Sequence, residues 1–154
     1  MAAAARLKRL QGALVEVLPE SSAWVPQGGP ASGRPSSAEP EYWLGVASPV
    51  RPERQHLVIL LRSDGDVQVE YHLAAVEGSP FEALFSIPDD REAEALEEVA
   101  RFVRDLLTER LVLAMDPRRW RGGRLFLLAE QLSERRPGEL AWVTSWRGTY
   151  DWHP

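Results

Sequence analysis

At 154 residues, with 44% hydrophobic and 27% charged side chains, the chain fits one soluble globular domain that buries roughly two-thirds of its unfolded surface. A formal net charge of −5 argues against whole-surface attraction to nucleic acid or anionic membrane. The absence of cysteine excludes disulfides and thiolate metal sites, and no apolar run reaches the roughly 18–20 residues of a membrane span. The expected location is cytoplasmic.

Leu7, Leu10, Leu14, Val17 and Leu18 recur at helical spacing, which predicts an amphipathic helix within residues 1–25, ended by Pro19. Arg6, Lys8 and Arg9 before an apolar patch resemble the start of a signal peptide, but Gln11 and Glu16 interrupt that patch. Residues 26–41 are rich in Pro, Gly and Ser and read as a flexible linker. The helix is then either a tethered arm or packed back on the body.

Residues 42–154 read as an α+β domain. Tyr42–Ser48 and His56–Arg62 are strand candidates, the second apolar on both faces as a central strand should be. Asp64-Gly65 predicts a hairpin turn, after which Val67, Val69, Tyr71 and Leu73 alternate with outward-facing Gln68, Glu70 and His72. Phe81–Ile87 is a further strand. Asp89 and Glu92 then have capping-box spacing at the start of a long helix, whose Leu96, Val99, Ala100, Val103, Leu106 and Leu107 form a buried stripe. Leu111–Met115 is either a short strand or the helix end. Arg124–Glu130 and Leu140–Arg147 are strands. The expected fold is a mainly antiparallel sheet with one long helix packed on a face, plus an N-terminal helix on a flexible loop.

Two stretches are candidates for contact with a partner. Arg118, Arg119, Trp120 and Arg121 place guanidinium groups around an indole, a combination that binds phosphate, carboxylate or a stacked base. A solvated turn leading into a strand is the plainer reading. In the tail, Trp142, Trp146, Tyr150 and Trp152 share one face if the segment is an extended strand. The core-wall reading comes first for Trp142 and Trp146, while Tyr150 and Trp152, near the C-terminus, are the expected exposed pair. Trp146 and Arg147 also belong to a Trp-Arg-Gly repeat of the Trp120 segment, and such residues are enriched at binding hot spots.

No catalytic, phosphate-loop or metal-ligand motif is present, and His56, His72 and His153 are scattered along the chain. No cofactor or metal is expected. The order helix, strands, helix, strands, with the acidic balance, resembles small bacterial secretion chaperones of the YbjN-like kind and the small acidic immunity proteins that neutralise toxins. Those chaperones end in a further helix, whereas this chain ends in aromatic strand-like sequence. That resemblance covers element order and acidity and carries no motif. The expected function, read from the aromatic and arginine stretches, is a non-enzymatic protein-binding module that captures a partner through Arg118, Arg119, Trp120, Arg121, Trp146, Arg147, Tyr150 and Trp152. A secreted or toxic protein would be a suitable partner. The alternatives are single-stranded nucleic-acid binding through Trp120 and its arginines, an enzyme without a recognisable motif, or a homodimer formed through the aromatic face.

Overall fold

A computed structural model describes residues 2–28, 40–73, 81–115, 124–134, 139–140 and 142–152. The chain forms helix α1 (Ala2–Val17), a 3₁₀ turn (Pro19–Ala23), strands β1 (Gln27–Gly28), β2 (Pro40–Ala47), β3 (Gln55–Arg62), β4 (Val67–Leu73) and β5 (Phe81–Phe85), helix α2 (Glu92–Leu107), then strands β6 (Leu111–Met115), β7 (Arg124–Leu128) and β8 (Trp142–Thr144). The result is an α+β fold with two antiparallel sheets, ordered β1-β2-β3-β4-β5 and β7-β6-β8. No helix among the described residues is long and apolar enough to cross a membrane.

The β3–β4 hairpin follows the sequence closely. Gly65 adopts φ +93°, Asp64 Oδ1 accepts the Asp66 N–H at 3.1 Å, and the register pairs Leu57 with Tyr71, Ile59 with Val69 and Leu61 with Val67. These six side chains form the inner face of the five-stranded sheet and pack with both helices into one core. Leu7, Leu10, Leu14 and Leu18 belong to that core, so α1 is packed back on the body. The bulk of the expected linker, residues 29–39, lies outside the described residues.

Helix α2 starts differently from its capping-box spacing. A 3₁₀ turn spans Asp89–Arg91, the α-helix begins at Glu92, and no side chain caps its N-terminus. The Glu92 carboxylate is drawn instead to α1, where Arg6 Nε donates to Oε1 at 2.8 Å and Arg9 Nη2 approaches at 2.9 Å. Arg6 also donates to Asp89 Oδ1 and to the Gly65 carbonyl. Two guanidinium groups outweigh one backbone amide as partners for this carboxylate, and they hold it below the usual range.

The outer face of β4 was expected in solvent and is largely buried. Gln68 and Glu70 (1% exposed) lie in a hydrogen-bonded file: Arg62 Nη1 donates to Gln68 Oε1 at 2.8 Å, Gln68 Nε2 donates to Glu70 Oε1 at 2.7 Å, and His72 Nε2 lies 2.9 Å from Glu70 Oε2. Alternation assigned the correct face, but satisfied polar partners allow that face to be buried.

The three-stranded sheet is covered on both sides. Leu113 and Phe126 face the main core, while Val112, Ala114, Leu127 and Val143 form a second cluster with Leu140. A file of aromatic edges joins the two sheets through α2, running Phe85–Phe102–Phe126–Phe81–Trp142 with ring centroids 5.2 to 6.1 Å apart.

Candidate functional site at the carboxy-terminal loop

Strand β8 stops at Thr144, three residues before the end expected from alternation. The chain then turns, with Gly148 N–H donating to the Ser145 carbonyl at 3.1 Å and Gly148 at φ +83°. It comes back so that Trp152 pairs antiparallel with Val143 through two 2.9 Å backbone hydrogen bonds. The tail aromatics therefore do not share one extended face. Trp146 is 3% exposed, its ring set edge-on to Tyr71 at 5.6 Å, so it is part of the core wall and offers no surface to a partner. This corrects its place among the contact residues: the turn after Thr144 directs the indole inward. Trp142 packs against Phe81. Tyr150 and Trp152 are 40% and 46% exposed, and Arg147 is exposed beside them. Arg118, Arg119, Trp120 and Arg121 lie outside the described residues.

Two carboxylates, the buried Glu109 and the partly buried Asp151, hold this loop. Helix α2 ends at Leu107, and Glu109 takes the left-handed conformation, φ +60°, that often closes a helix and usually belongs to glycine. This turn aims its side chain inward, where Oε1 accepts from Ser145 Oγ at 2.7 Å, Arg147 N–H at 2.7 Å and Thr149 N–H at 3.2 Å. Burial raises the Glu109 pKa, but the hydrogen bonds from Thr149, Ser145 and the loop backbone outweigh it and leave the group below the usual carboxylate range. Asp151 Oδ1 accepts from Ser145 N–H at 2.9 Å and Thr144 Oγ1 at 3.1 Å, and its other oxygen pairs with Arg51. Gln55 Nε2 continues the network to Thr144 Oγ1, and Ser48 Oγ donates to the Trp146 carbonyl at 2.8 Å. The loop is thus fixed to α2, β3 and the β2–β3 turn at once.

Neither Glu109 nor Asp151 was identified as a site residue from the sequence. One signal was present, namely that α2 ends without the glycine its C-terminus would ordinarily use. The histidines also sit differently from their scattered spacing. The β3–β4 register places His56 opposite His72, with rings stacked at 4.6 Å and 6° apart, and burial followed by the neighbouring His72 charge lowers the His56 pKa. Among the described residues, no group of three or more His, Cys, Asp or Glu is arranged to hold a metal ion. A pocket of about 350 Å³ opens between α1 and the β3–β4 turn, but Arg6 and Arg62 on its wall are already bonded within the fold.

No family model, curated protein or solved structure matches this chain.

Proposed function

We propose that this chain is a non-enzymatic protein-binding module, chaperone-like or immunity-like, that works in the cytoplasm and takes its partner on the corner formed by Arg147, Tyr150 and Trp152. The observation that carries this reading is Glu109. A non-glycine residue in the left-handed region costs on the order of 1 kcal/mol, and such strain clusters at functional sites. Here the strained residue sits beneath an exposed loop, and its carboxylate holds the loop in one conformation. A pre-ordered loop with an exposed indole and phenol loses little conformational freedom on binding, which favours affinity. Burial of the two rings within a polar rim would supply the binding energy.

Copurification from the native cell provides the test. The wild-type chain should retain a protein that the Trp152→Ala and Tyr150→Ala chains lose, with all three melting at similar temperatures. Acrylamide should quench Trp152 and leave Trp146 shielded. Equal retention by both variants would reject the corner as the binding surface.

A further inference from the structure

We propose that His56 and His72 form an acid-sensitive latch at the open end of the β3–β4 hairpin: the stacked rings accommodate one proton, and a second drives them apart. The latch lies on the sheet face turned away from the helices and is independent of the protein-binding reading. The register sets the two residues opposite each other, next to the last pair of the ladder, Gln55 with Leu73. Their rings lie face to face, with centroids 4.6 Å apart and planes 6° from parallel.

The hydrogen-bonded file along β4 fixes where the first proton sits. Arginine has donors only, so Arg62 Nη1 meets Gln68 at Oε1, 2.8 Å away, and the Gln68 amide nitrogen is turned toward Glu70. Glu70 accepts that nitrogen at Oε1, at 2.7 Å, and its Oε2 faces His72 Nε2 at 2.9 Å. A carboxylate that accepts at both oxygens requires a hydrogen on His72 Nε2. A proton added at His72 Nδ1 then completes an ion pair with Glu70, whose side chain is 1% exposed.

The second proton falls on His56, stacked on the ring that already carries the first. Glu70 is by then engaged by Gln68 and His72. The neighbouring strands bring Ala47 of β2 opposite His56 and, beyond β4, Glu82 of β5 opposite Glu70. Glu53 and Arg54 on the preceding turn are exposed and opposite in charge. Two positive rings held face to face repel each other, and the strand ends they join loosen. Burial, and then the His72 charge, lowers the His56 pKa in the folded chain. Its contribution is therefore complete above the ordinary histidine value of 6.5 and is lost as pH falls through the lowered one.

Ring-nitrogen NMR of the full chain, titrated from about pH 8 to about pH 4.5, tests the latch. At neutral pH the His72 Nε2 signal should be that of a protonated nitrogen. The His56 midpoint should rise in the His72→Gln chain, where an amide keeps a donor for Glu70 and carries no charge. His56 is exposed on a strand, so His56→Phe should fold and keep a stacked ring that cannot titrate. Protection factors of the His72 and Leu73 amides should fall between about pH 7 and about pH 5 in the wild type and stay level in His56→Phe. A His56 midpoint unmoved by His72→Gln would mean that the rings titrate independently, and would overturn the latch. Amide protection that stays level in the wild type, or falls equally in His56→Phe, would overturn it too.

Discussion

Glu109 occupies a position where a helix most often ends on glycine, and the carboxylate explains why glycine is absent. Replacing it with Gly relieves backbone strain of about 1 kcal/mol but removes the acceptor for Ser145, Arg147 and Thr149, and hydrogen bonds to a charged group contribute about 1.5–3 kcal/mol each. Glu109→Gly should therefore destabilise by about 3 kcal/mol or more in urea unfolding, and the Arg147 and Thr149 amides should exchange faster with solvent. A stabilised Glu109→Gly protein would mean that the loop does not depend on the carboxylate. The pH dependence has a definite sign. The folded-state pKa lies below the unfolded one, so the contribution is complete above the ordinary glutamate range and is lost as pH falls through the lowered value. Acidification should loosen the tail, read as Trp152 fluorescence, and the Glu109→Gln chain should lack that part of the transition. These residue roles were illegible in the sequence because Glu109 and Ser145 are distant along the chain and meet only in the fold.

At the scale of elements, the clasp between the two helices is the feature most open to test. Arg6 bonds Glu92, Asp89 and the Gly65 carbonyl together, with its side chain 15% exposed. Arg6→Ala should cost about 1–3 kcal/mol, since a partly buried carboxylate loses its charged partner. Amide exchange should rise first in α1, with the β3–β4 hairpin unchanged. Uniform exchange across the chain would show that α1 opens only with the whole domain. Elements were largely legible: β3, β4, β5 and the apolar stripe of α2 appear where strand patterning and helical spacing place them, and Leu111–Met115, open between a strand and the helix end, is strand β6. The boundaries that moved did so for tertiary reasons. Glu92 left its cap for α1, and β8 ended early because the loop after it is held by Glu109, just past the end of α2, and by the β2–β3 turn.

For the whole molecule, the two sheets depend on one file of aromatic rings. Phe81 is 2% exposed and touches both Phe126 and Trp142, so Phe81→Ala should cost about 3–5 kcal/mol and lower the melting of both sheets together. Two separate transitions in calorimetry would argue that the sheets unfold independently. Composition and periodicity determined the class of this fold, its helix stripe and its hairpin. They did so because alternation and the 3.6-residue repeat are local properties of the backbone. Only the tertiary structure decided that His56 meets His72, that Glu70 can be buried, and that Glu109 and Asp151 hold the loop. Each of those outcomes depends on which distant group satisfies a charge or a hydrogen bond, and spacing along a chain carries no record of that.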